Sequence, residues 1–377
     1  MILDRLSIQQ FRNHTETTVD LAPRINVFTG QNGAGKTSLI DAIHYLCMSR
    51  SFVSSSDRYV VQTGETWFML EGMFRGNIRS EFRVGCSYDK GEGKKIFVNR
   101  SPLDRFSDLI GMVPVVVLSP EDRKLTDEGP VWRRSFLDGF ISQLSTSYLR
   151  DLIHYQRVRK QRNRVLQQLA YSSSLEPSML DPWDQQLVRF GSRLMIARHH
   201  VIQRLQKYLA NQYEALSGME HRPNLVYQTL CDASQSPAEV ESDYHKILSE
   251  SRERELEREQ TLTGPHRDEV VFFLGDMELR NYGSQGQHRL FTIALKLAQL
   301  FYYSDELDDL PLMLLDDVFG NLDKATCQLV LEMLQHHPGQ IFITSASESP
   351  FEQMSIDWSG NNSWFLAEGG AIHRRET

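Results

Sequence analysis

Cysteine is scarce in this sequence: the 377 residues hold four, Cys47, Cys86, Cys231 and Cys327, with no CxxC spacing. That scatter suggests neither a zinc site nor a disulfide framework, and fits small apolar side chains in a reducing compartment. Long apolar runs are missing too; none approaches the roughly 20 residues needed to span a bilayer. The opening MILDRLSIQQFRNH carries charge within its first five residues and has no apolar core of a secretion signal. A cytoplasmic protein with no membrane contact is therefore expected. Nor does positive charge dominate: 41 Lys and Arg face 49 Asp and Glu, for a net charge of -8. This excludes a protein that coats nucleic acid with its whole surface, while leaving local basic patches open. Internal repeats and low-complexity tracts are absent as well. What is present is a globular balance, 40% hydrophobic and 24% charged, in a chain long enough for two or three structural units.

The first 28 residues read as a strand, a polar turn and a second strand, INVFT, which runs into a glycine-rich loop and an apolar-periodic helix from about Gly35. Short β segments follow between about 66 and 99 (WFMLEGMF, EFRVGC, KIFV), with hairpin signals between them. VPVVVLSPED supplies a buried strand. From Pro130 to Gln260 the pattern is helical, broken at Ser172 to Pro182 and at Gly218 to Pro237. Gly264-Pro265 closes that stretch, β character returns with EVVFFL, and the tail alternates helix, PLMLLDD, helix and QIFIT. The expected fold is α/β: a P-loop head with a mixed sheet and an antiparallel β region, built from 1–129 and 261–377, with a helical lobe at 130–260 inserted between them.

Gly30-Gln31-Asn32-Gly33-Ala34-Gly35-Lys36-Thr37 fits G-x-x-x-x-G-K-[ST]. Glycines let successive N–H groups turn toward phosphate oxygens at a helix N-terminus, whose dipole favours anions. Lys36 is then expected on the β and γ phosphates of ATP and the Thr37 hydroxyl on Mg²⁺. PLMLLDD ends an apolar strand in two acids, the Walker B arrangement. Asp316 is expected to hold Mg²⁺, and Asp317 to orient or deprotonate the attacking water. Ser284, Gly286 and Gln287 open an apolar-periodic helix and look like the signature motif of the ATP-binding-cassette superfamily, although a simple helix cap has the same pattern. In that superfamily the signature meets ATP held by a partner's Walker A.

Seven ordered motifs carry a resemblance to a known family: FRNH, GQNGAGKTSLIDAI, LSPED, GPVWRRSFLD, TGPHRDE, YGSQGQHR and LLDDVFGNLD. The chain resembles the RecF family of bacterial recombination mediators, relatives of the SMC proteins, over nearly its whole length. The resemblance implies an ABC-type head, a slow ATPase with no other catalytic activity, and an ATP-dependent homodimer. It further implies a clamp on gapped DNA, single- or double-stranded, that works with RecO and RecR, promotes RecA loading and induces the SOS response. Three positions depart from related patterns. Gly320-Asn321 replaces serine-glutamate in the D-loop, Ser119 stands at the SMC Q-loop glutamine, and Thr344 or Ser345 takes the place of the transporter switch histidine.

Between Arg150 and Lys207 eleven Lys or Arg face four acids, an excess of seven positive charges. Phosphate contacts need such an excess, because counterion release drives sequence-independent affinity. Arg157, Arg159, Lys160, Arg162 and Arg164 are the candidate DNA contacts, with only some of them on one helical face. No base-reading motif accompanies them. A transporter subunit and an SMC-like structural protein are the alternatives. The first is disfavoured by the 248 positions separating Lys36 from Ser284, and the second by the short, interrupted helical segment.

Overall fold

The computed structural model describes residues 1–171, 176–218, 222–352, 356–358 and 360–375. It divides into two compact units, Met1–Asp122 with Lys296–Thr377, and Arg123–Leu295. The division falls at 122 and 295 rather than at the expected 129 and 260. Among the described residues no helix is long and apolar enough to cross a membrane.

The first unit contains two six-stranded sheets. One is antiparallel, in the order His14–Asp20, Ile2–Phe11, Trp67–Arg75, Phe82–Asp89, Gly93–Val98, Ser101–Pro102. The 66–99 segment is thus the meander its hairpin signals predict. The strand His14–Asp20 was not expected, because HTETTVD is too polar to announce a strand and is ordered by pairing with Ile2–Phe11. The other sheet runs Ala371–Arg374, Asn362–Glu368, Ile25–Thr29, Ile341–Ser345, Leu312–Asp316, Val115–Leu118, parallel except at its first strand. Its three central strands are buried at every residue, as expected of parallel strands covered on both faces.

The helix Lys36–Met48 lies between these sheets, touching strands of both, and every residue except Thr37 is buried. A helix buried on every side needs such a place between two sheets. Tyr45 on this helix meets Phe11 and Phe68 of the antiparallel sheet edge-on, with ring centroids 6.1 and 5.4 Å away. Such aromatic contacts fix the helix against one sheet while its first turn stays at the edge of the other.

In the second unit the long helices Thr146–Tyr171 and Asp181–Ser217 run antiparallel, as the pairs Arg162–Asp184, Asp151–Arg193 and Tyr148–Arg198 require. A three-stranded sheet accompanies them, with Glu269–Leu274 between Met277–Glu278 and Pro223–Gln228. Pro223–Gln228 lies in what reads as a loop. Its antiparallel partner is Glu269–Leu274, and this pairing draws the segment after Gly264 into the helical unit.

Candidate nucleotide-binding site

The strand Ile25–Thr29 ends at a loop that only glycine can shape. Gly30 has φ +149, and a Cβ there would stand 2.3 Å from the Ala367 carbonyl oxygen. Gln31, Asn32 and Gly33 are exposed, whereas Ala34, Gly35 and Lys36 are buried. The Lys36 ammonium donates to the carbonyls of Gly30, at 2.6 Å, and Gln31, at 2.8 Å. Desolvation pushes its pKa below the usual lysine value, a shift opposed by the nearby charges of Asp317 and Asp316. An external anion would relieve both the desolvation and the folded-back posture.

Thr37 donates its hydroxyl to Asp316, 2.8 Å from Oδ1 and 3.0 Å from Oδ2. Asp316 also accepts from Thr344 Oγ1 at 2.7 Å. Burial raises the Asp316 pKa, the two hydroxyls work against that, and the adjacent Asp317 charge adds to it. One buried carboxylate and one hydroxyl, side by side, fit Mg²⁺, which takes its remaining ligands from phosphate and water. No cluster of three or more His, Cys, Asp or Glu suited to a metal occurs among the described residues.

Asp317 has φ +48, a conformation unusual for a side-chain-bearing residue and one found at functional sites. Its N–H is held by Thr344, 3.0 Å from Oγ1 and 3.2 Å from the carbonyl oxygen. Thr344, which the sequence marks only by the missing histidine, therefore braces both acids.

The FRNH motif, known from the sequence only as part of a resemblance, buttresses the loop. Asn13 donates to Gly33 O at 2.9 Å and accepts from Ser38 Oγ at 2.5 Å. His14 is fully buried, with its ring nitrogens 3.0 Å from Gly35 O and 2.7 Å from Gly370 O. Arg12 pairs with the buried Asp41 of the loop helix at 2.8 Å. Asparagine next to histidine beyond a strand is the only local sign of this role.

In the helical unit, Ser284, Gln285 and Gly286 are exposed. The Ser284 N–H donates to Gln287 Oε1 at 2.8 Å and the Gln287 N–H donates to Ser284 Oγ at 3.3 Å, so the signature residues form a reciprocal cap. The candidate DNA contacts divide. Arg157, Lys160 and Arg164 are exposed and Arg159 is half-buried. Arg162 is corrected: it is fully buried, donating to Asp184 at 2.5 Å, Glu255 at 2.6 Å and Thr261 at 3.0 Å. No phosphate can reach it. Its place in the buried stripe Tyr155, Val158, Arg162, Leu166, at spacings of three and four, is a signal that helical periodicity offered. Arg198 of the same basic run is likewise buried, between Asp138 and Asp268.

Residues 2–360 match the RecF/RecN/SMC N terminal domain family. The chain is 43% identical over 357 residues to the DNA replication and repair protein RecF of Salinibacter ruber, covering 93% of this chain and 86% of that relative. To the protein of the same name from Halalkalibacterium halodurans it is 34% identical over 359 residues, covering 94% and 95%. Among solved structures, the recombination mediator protein RecF with ATP, of the RecFOR pathway, superposes with a TM-score of 0.91 at 27% identity. That match covers 100% of this chain and 98% of the other. An Smc head domain from Pyrococcus furiosus, at 12% identity and a TM-score of 0.58, shares the fold.

Proposed function

Because the chain belongs to the RecF family of SMC-type ATPases, we propose that it is an ATP-switched clamp: ATP joins two copies around DNA at gaps, and slow hydrolysis releases them. The observation that carries this reading is the convergence of Lys36, Thr37 and Asp316. A loop of turned backbone, a cation held only by carbonyls, and a hydroxyl–carboxylate pair stand together at one helix N-terminus. Lys36 moves from the Gly30 and Gln31 carbonyls to the β and γ phosphates, and Thr37 and Asp316 hold Mg²⁺. The metal, once bound, offsets charge on the phosphate oxygens. Asp317 orients the attacking water and takes its proton, its backbone kept in place by Thr344.

Ser284 and Gly286 stand exposed at a helix N-terminus with the half-buried Gln287 beside them, as a surface that meets a partner's nucleotide requires. Slow turnover is supported by two substitutions. Thr344, at the position of a switch histidine, is engaged with Asp316, and the Ser119 N–H is engaged by Asp122 at 2.8 Å. DNA is held by exposed cations of the long helices, with Arg157, Lys160 and Arg164 one turn apart on one face and Arg189 on the antiparallel neighbour. RecO and RecR as partners, RecA loading and SOS induction follow from family membership.

Light scattering with and without ATP, followed by binding of gapped DNA, tests the proposal. ATP-dependent dimers that bind DNA more tightly than monomers are expected. A chain that stays monomeric with saturating ATP and Mg²⁺ sinks the clamp.

A further inference from the structure

The motifs TGPHRDE and GPVWRRSFLD have no part in the nucleotide site, and both lie in the helical unit. There they bring guanidinium groups together. Arg134 donates to the Asp268 carbonyl at 2.6 Å, two residues beyond His266. Arg267 follows His266 in the chain. Arg159 stands one helical turn beyond Tyr155, whose hydroxyl is 2.7 Å from His266 Nδ1.

Nearby carboxylates are already engaged. Glu269 takes Arg133 at 2.8 and 2.9 Å; Asp138 takes Arg198 at 2.7 Å and Tyr148 at 2.5 Å; Asp268 takes Arg198 at 2.9 Å and Thr229 at 2.7 Å. Arg134, Arg159 and Arg267 therefore form no ion pair among the described residues, and five guanidiniums share three carboxylates. His266 adds orientation rather than charge. Its Nε2 faces the Thr261 carbonyl at 3.2 Å, and burial, with Arg159, Arg267 and Arg134 around it, pushes its pKa down to about 3. The loop itself is closely packed at Gly264. Gly264 has φ +131, and a Cβ there would meet the hydroxyls of Tyr244 at 2.3 Å and Tyr155 at 2.5 Å.

We infer that Arg134, Arg159 and Arg267 form a preorganised cradle for a phosphate group. Arg134 and Arg159 lie on two helices that hydrogen-bond, through Arg134 and Tyr155, to the loop carrying the exposed Arg267, and planar guanidiniums suit phosphate oxygens. The phosphate has two sources, the DNA backbone or the triphosphate of a partner copy, and both rest on the clamp reading above.

The test compares the double variant Arg159→Gln/Arg267→Gln with the exposed-face variant Arg157→Gln/Lys160→Gln/Arg164→Gln in the full chain. Gapped-DNA affinity across a salt series, ATP-dependent dimerisation without DNA, and thermal melting are measured for both. If DNA supplies the phosphate, the salt slope of the double variant is smaller by about 0.7–0.9 for every phosphate it leaves unneutralised, with dimerisation unchanged. If the partner's nucleotide supplies it, dimerisation requires at least about tenfold more protein and the DNA slope is unchanged. Melting is unchanged or raised in either case, since like-charge repulsion is relieved, and Arg159→Lys/Arg267→Lys recovers most of the loss. Unchanged DNA slope and dimerisation overturn the cradle. So does a lowered melting point that lysine does not restore. Loss in the exposed-face variant alone rejects the cradle while leaving the DNA clamp standing.

Discussion

In the unit that carries the phosphate loop, the buried cation Lys36 touches two backbone carbonyls and forms no ion pair among the described residues. In the helical unit, the buried Arg162 and Arg198 are each closed off by two carboxylates. Burial alone therefore says little about what a cation does. One whose counter-charge is within the fold belongs to the fold, because taking it out leaves buried carboxylates unpaired. One that forms no ion pair is, on the reading proposed above, held ready for an anion from outside. Arg134 and Arg159, half-buried and without an ion pair among the described residues, resemble Lys36 more than Arg162, while Arg267 is exposed.

Substitutions can break this comparison, and the largest effect is expected at the head. Asp317→Asn keeps ATP affinity and lowers turnover by about 10²–10⁴-fold, the usual loss when a positioned base is removed. Steady-state hydrolysis beside equilibrium nucleotide binding measures it, and wild-type turnover would strip Asp317 of its role.

Next is Arg162→Gln, which strands Asp184 and Glu255 and costs about 3–5 kcal/mol of stability. Chemical denaturation reads this directly. A variant as stable as the wild type, with a diminished DNA salt slope, would return Arg162 to the ligand-binding class and undo the contrast.

A smaller change is expected from Arg157→Gln/Lys160→Gln/Arg164→Gln. Stability stays within about 0.5 kcal/mol, as for most surface substitutions. The DNA salt slope drops by about 0.7–0.9 for each phosphate these cations no longer neutralise, equally for unrelated sequences. A salt slope that did not move would make this face an ordinary solvated surface.

The last effect, absent at neutral pH, is one the two units share. His266 in the helical unit and His44 in the head each have a pKa pushed down to about 3, by burial first and then by neighbouring arginine charge. An unfolded histidine titrates near 6.5, so the unfolded chain binds the extra proton between those values. Each group is neutral in both states above about pH 6.5. Stability is then lost as pH falls toward 3, at no more than about 1.4 kcal/mol per pH unit for each histidine. His266→Gln and His44→Gln should each flatten the pH dependence of the unfolding midpoint over that window. A flattening seen in one and absent in the other would separate the units on this point too.

How much of this was legible in the sequence differs between the same two regions. The phosphate loop is eight consecutive residues between an apolar strand and a helix, and Asp316 and Asp317 end a fully apolar strand. The bracing by Asn13, His14 and Thr344 was not legible, since each acts on backbone or carboxylate groups far along the chain. In the helical unit the run of eleven cations was visible, but its meaning was not. The partners that remove Arg162 and Arg198 from the surface include Glu255, 93 positions away, and Asp268, 70 positions away.

Local chemistry was thus set by the sequence alone: which residues can cradle phosphate, which strands run apolar, where hairpins turn, and which family the chain resembles. Tertiary structure decided the strand order of the two sheets, the pairing of Pro223–Gln228 with Glu269–Leu274, and the sorting of cations into buried pairs and open clusters. The physical reason is one of range. Backbone conformation and periodicity are short-range and written in neighbouring residues. Strand partners and counter-charges are chosen among groups brought together by burial, and a charge has no defined role until its surroundings are closed.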